Sequence, residues 1–94
     1  MTLIDGRDYA YQYDTGLMAI APGPGKVRFA NAKGSKAIPV ESEIYDGTVV
    51  YPIPDILLTT GRAVIMYTLG GEEGEEYITG ESLLPVYQAH QPKG

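Results

Sequence analysis

The stretch KAIPVESEIYDGTVVY, Lys36–Tyr51, decides the fold class. Its first part alternates: Ile38, Val40 and Ser42 fall on one side of an extended chain, Glu41 and Glu43 on the other. Successive strand side chains point to opposite faces, so this is a strand, Lys36–Ile44, with one face in a core and one in water. Asp46-Gly47 follows, a hairpin signature because both central positions of a tight two-residue turn need positive φ. Thr48–Tyr51 then returns as a second strand. Pro39 has no N–H to give a neighbour, which places its strand at a free sheet edge.

Outward from this hairpin the same signal repeats. Upstream, Lys26–Ala30 (KVRFA) alternates cleanly, with Val27 and Phe29 on one face and Lys26 and Arg28 on the other. Pro22-Gly23-Pro24-Gly25 interrupts any regular element before it. Leu17–Ala21 reads as a strand, Asp14-Thr15-Gly16 as a turn, and Tyr9–Tyr13 as a first strand whose tyrosines share a face. Asn31–Ser35 reads as a loop. Downstream, Pro52-Ile53-Pro54 leads into Asp55–Leu58, expected to form one helical turn capped by Asp55 at the crossover between two sheets. Arg62–Thr68 (RAVIMYT) is nearly all apolar and reads as a central strand. Gly70–Glu76 is a hairpin tip, and Tyr77–Thr79 and Ser82–Tyr87 close the pattern. Short strands with turn signals between them predict an all-β fold: an immunoglobulin-like antiparallel β-sandwich of about seven short strands, with one helical turn at a crossover. One domain over 1–88 is expected, followed by a polar exit tail or linker at 89–94.

Composition narrows the function. With no cysteine among 94 residues, disulfides and cysteine-based zinc sites are excluded. The formal net charge is -5, which argues against nucleic acid as a partner, because that binding needs clustered cations. Four of the seven cations, Lys26, Arg28, Lys33 and Lys36, lie close together in sequence, and a solvated hairpin face explains them. No run approaches the ~20 apolar residues that span a bilayer, so no membrane partner is expected. The opening MTLIDGRDYAYQYD is polar and acidic, unlike a secretory signal.

Catalysis requires converging groups, and the sequence offers none. The single histidine, His90, lies in the polar tail without an orienting partner. Glu72, Glu73, Glu75 and Glu76 lack the alternating ligand spacing of a known calcium loop, and read as a solvated hairpin tip. Gly23-Pro24-Gly25-Lys26 lacks the following Ser or Thr and the helix of a phosphate loop. No catalytic residue, cofactor or metal site is expected.

Tyrosine is the distinctive residue: there are eight, against one Phe and no Trp. Tyrosine suits protein interfaces and sugar stacking, since it offers large area at low entropic cost; equally, a period-two tyrosine stripe packs on a half-buried strand. The candidate interface residues are Tyr9, Tyr11, Tyr13, Arg28 and Tyr87.

Five elements, in order, carry a family resemblance: Tyr11-Gln12-Tyr13-Asp14-Thr15-Gly16, Val27-Arg28-Phe29-Ala30-Asn31, Ile53-Pro54-Asp55-Ile56-Leu57-Leu58, Ala63–Tyr67, and Pro85-Val86 with Pro92-Lys93. In these the chain resembles the N-terminal β-sandwich domain of minor structural proteins, of tail, upper baseplate or fibre type, from phages and prophages of low-GC Gram-positive hosts. The resemblance implies a non-enzymatic virion protein, made in the host cytoplasm without a signal peptide. Its partners are then other virion proteins, with homo-oligomerisation in the assembly. Capsid decoration is a second role of the same kind. A carbohydrate-binding module for host surface glycans is an alternative of another class, motivated by tyrosines with carboxylates nearby.

Overall fold

A computed structural model describes residues 1–23, 25–32 and 36–88. The expectations for Pro24, Lys33, His90, the 33–35 part of the loop and the 89–94 tail fall outside the described residues. The fold is all-β and sandwich-like. Among the described residues there are nine strands, β1 (Ala10–Tyr11), β2 (Met18–Ile20), β3 (Lys26–Asn31), β4 (Ile38–Glu41), β5 (Glu43–Tyr45), β6 (Thr48–Pro52), β7 (Val64–Gly70), β8 (Tyr77–Leu84) and β9 (Val86–Tyr87). A 3₁₀ turn, Asp55–Leu58, lies between β6 and β7.

Two antiparallel sheets face one core. One has the order β4-β3-β7-β8, the other β2-β6-β5. Val27 and Phe29 of β3 and Val64 and Met66 of β7 alternate inward, with Phe29 directly opposite Met66. Ala19 and Tyr51 reach the same core from the three-stranded sheet, and Leu57 and Leu58 from the 3₁₀ turn. A third, two-stranded element pairs β1 with β9 in parallel and adds Ala10 and Val86 to that core.

The expected Lys36–Ile44 strand is divided. At Ser42 the chain leaves the four-stranded sheet as β4 and enters the three-stranded sheet as β5. Gly25 fixes this corner: its N–H donates to Ser42 Oγ at 3.1 Å, and its carbonyl accepts the Ser42 N–H at 2.9 Å. The strand switch closes one side of the sandwich. Pro39 lies in an edge strand, where its missing N–H leaves the ladder intact. Asp46 and Gly47, with φ of 48° and 78°, form the tight turn between β5 and β6. At the far end, Tyr77–Thr79 and Ser82–Leu84 form one strand instead of two, and the register with β7 slips between Thr68 and Leu69. That bulge absorbs the extra residue.

Candidate functional interface

The parallel β1–β9 pair positions an aromatic cluster. Ala10 and Val86 stand opposite each other and point into the core. Strand alternation therefore turns Tyr9, Tyr11 and Tyr87 to the outer side. Ala10 donates its N–H to the Pro85 carbonyl at 2.9 Å and Gln12 its N–H to the Tyr87 carbonyl at 2.7 Å, so the backbones beneath the rings are locked together. The ring centroids lie 5.7 Å apart for Tyr9–Tyr11, 5.9 Å for Tyr9–Tyr87 and 6.1 Å for Tyr11–Tyr87. Tyr9 is half-buried, while Tyr11 is 46% and Tyr87 55% exposed. The trio is thus a solvent-facing surface held on a buried base.

Arg7 completes it. Its guanidinium lies 5.7 Å from the Tyr9 ring centroid, within cation–π range. Nε donates to the Asp5 carboxylate at 2.8 Å, and Asp14 stands 3.9 Å from the same guanidinium. The Arg7 backbone N–H, joined by its side chain, holds the Asp5 carboxyl below its ordinary range, and Asp5 in turn raises the Arg7 guanidinium. Arg7 is an addition to the candidate interface residues, and its spacing, Arg7-x-Tyr9-x-Tyr11, is the signal that marks it, because it puts all three on one face of an extended chain.

Tyr13 does not join the stripe. The strand ends at Tyr11, because the Asp14 carboxylate accepts the Tyr11 N–H at 2.9 Å and the Asp14 N–H donates back to the Tyr11 carbonyl at 3.1 Å. Inside that turn Tyr13 takes a φ of 70°, so the period-two alternation stops before it. Arg28 lies elsewhere, on the outer face of the four-stranded sheet opposite Tyr67, in an ion pair of 3.4 Å with Glu76. Among the five candidate interface residues, the structure gathers Tyr9, Tyr11 and Tyr87 and separates Tyr13 and Arg28 from them.

The turn beneath the cluster is tied to the 3₁₀ crossover. Tyr13 donates its N–H to the Leu58 carbonyl at 2.8 Å, Gln12 Nε2 to the Thr59 carbonyl at 2.8 Å, and Gly16 its N–H to Asp55 Oδ1 at 3.0 Å. Asp55 was expected to cap the helical turn; instead Pro54 holds the cap position and no side chain caps it. The Asp55 carboxylate is engaged with Gly16, so two segments some forty residues apart form one rigid base.

Other surfaces offer less. A cleft of about 500 Å³ lies between Ile38 and Pro39 of β4 and Ile56, Leu57 and Thr59 of the crossover. A groove of about 530 Å³ opens between β8 and the β2 side. Among the described residues, no three His, Cys, Asp or Glu side chains converge in a way that could hold a metal ion. The glutamates of the β7–β8 loop are exposed apart from Glu76, which Arg28 engages. No described helix is long and apolar enough to cross a membrane. Comparison of the chain with protein-family models, with curated proteins and with solved structures returns no match.

Proposed function

We propose that this chain is a non-enzymatic structural module of a bacteriophage particle, a domain of the tail, baseplate or fibre apparatus that docks on, or oligomerises with, other virion proteins. The observation that carries this reading is the Tyr9–Tyr11–Tyr87 cluster. Solvent-facing aromatics with fixed backbones lose little entropy on association, and such residues dominate binding energy at protein interfaces. The ordered resemblance to phage minor structural proteins supports the same role. Two of its elements, Tyr11–Gly16 and Ile53–Leu58, hydrogen-bond to each other here and hold the base of the cluster. In this reading the sandwich is of immunoglobulin-like kind, which its short antiparallel strands in two facing sheets support.

A protein partner fits the cluster better than a stacked sugar does. The rings meet at interplanar angles of 89°, 59° and 49°, so no two of them form a shared flat platform, and a protein surface can interlock with the ridged cluster. Capsid decoration uses the same surface on a different part of the particle. Light-scattering mass across concentration, together with a search for the chain in purified particles, tests the proposal. A defined multimer or a particle-bound chain supports it; a strict monomer that is absent from particles overturns it.

A further inference from the structure

The two sides of the sandwich are finished differently. On one side the strand switch at Ser42 carries the chain from sheet to sheet. On the other, the four-stranded sheet ends in β8, which pairs with β7 alone. Native edges are commonly guarded by shortness, proline or lysine. The opposite edge strand, β4, has four residues and contains Pro39. β8 has eight residues, with no proline or lysine among them.

The direction of its free groups follows from one contact. The Met1 ammonium donates to the Leu83 carbonyl at 2.9 Å, so that carbonyl points away from β7. In an antiparallel pair, outward and inward backbone groups alternate by residue. The Glu81 N–H and C=O therefore point outward too. Among the described residues no backbone group pairs with them. Directly beside this edge is the groove of about 530 Å³, walled by Met66, Thr68, Gly80 and Ser82 of the four-stranded sheet on one side, by Ile20 of β2 and Pro22 just beyond it on the other, and by Met1 and Thr2 of the N-terminal segment at the Leu83 end.

We infer that β8 receives an extended segment of a partner protein as a fifth strand of the four-stranded sheet. Its recognition pattern is apolar–basic–apolar. The basic residue stands opposite exposed Glu81 on the outer face, where an opposite-charge cross-strand pair is favourable. Its two neighbours point the other way, beside Gly80 and Ser82, and fill the groove between the sheets. A second copy of the chain fits poorly. Antiparallel pairing of β8 with itself centred on Glu81 sets two Glu81 carboxylates directly opposite each other, between chains that each carry a net charge of -5. This surface is separate from the tyrosine cluster and does not depend on its role.

The test is a titration of the full chain with a short capped peptide of alternating valine and lysine, followed by backbone amide NMR shifts. Shifts centred on Gly80–Leu83 and on Ile20 and Pro22 neighbours are expected. Glu81→Lys is expected to weaken the lysine peptide about tenfold and to favour a glutamate-for-lysine peptide instead. In Tyr11→Ser/Tyr87→Ser the lysine peptide is expected to bind as it does to the parent chain, which separates this inference from the aromatic surface. Shifts elsewhere, no binding at millimolar peptide, insensitivity to Glu81→Lys, or a peptide-independent dimer that occupies β8 would each overturn it.

Discussion

The carboxylate of Asp55 accepts the backbone N–H of Gly16 at 3.0 Å and so fastens the turn after β1 to the crossover after β6. Hydrogen bonds to charged acceptors exceed neutral ones, but solvent competes at this exposed site. Asp55→Ala is expected to cost about 1 kcal/mol in urea unfolding. Asp55→Asn keeps an acceptor and should lose less. Equal losses in the two variants would mean that charge, not the hydrogen bond, matters there.

Asn31 is the more demanding polar residue. It is buried at the end of β3, and its side-chain amide donates to the Leu57 carbonyl at 2.8 Å. Asn31→Leu keeps the branched outline with bulkier ends and strands that carbonyl, and an unsatisfied buried acceptor costs about 1–3 kcal/mol. Denaturant midpoints for Asn31→Leu and Asp55→Ala should therefore rank with Asn31→Leu the less stable.

Much of this architecture was readable in advance, and the misses have physical causes. Val27 and Phe29, the Asp46-Gly47 turn, the edge position of Pro39 and the inner position of β7 follow from alternation and turn chemistry, which are local. The division of Lys36–Ile44 at Ser42 is not local, because it depends on the Gly25 backbone reaching across to Ser42. Likewise the parallel pairing of β1 and β9 joins segments far apart in the chain, and no local pattern signals it. Tyr13 was assigned to the stripe on spacing alone; the Asp14 side chain ends the strand first. Of the candidate interface, Tyr9 and Tyr11 were legible as a pair, whereas the approach of Tyr87 needed the fold.

Tyr51 gives the chain an alkaline limit. Its ring is buried, its hydroxyl donates to the Gly23 carbonyl at 2.9 Å, and burial pushes the phenol above its ordinary value of 10.0. Above pH 10 the unfolded chain gives up this proton while the folded chain keeps it, so stability falls as pH rises from there. Below pH 10 the contribution is complete. Tyr51→Phe should cost about 1 kcal/mol at neutral pH through the lost hydrogen bond. It should also lose less stability than the parent between pH 10 and pH 11, which paired melting curves would resolve.

Gly71, in the β7–β8 loop, is constrained twice. Its φ is +89°, and a Cβ added there stands 2.7 Å from the Glu75 carbonyl oxygen. Gly74 shares the positive φ, at +90°, but opens onto free space. Gly74→Ala is expected to cost about 1 kcal/mol from backbone strain alone, and Gly71→Ala more. Equal melting temperatures for the two would show that the loop yields to the added methyl group.

The proposed assembly surface is most directly examined by tyrosine nitration, with sites identified by mass spectrometry, in the free chain and in purified particles. Tyr11 and Tyr87, 46% and 55% exposed, should react in the free chain and be protected in the particle. Tyr45, 51% exposed and on a different sheet, should react in both. Tyr11 and Tyr87 reacting equally in the free and particle-bound chain would contradict the proposal that their cluster docks this domain.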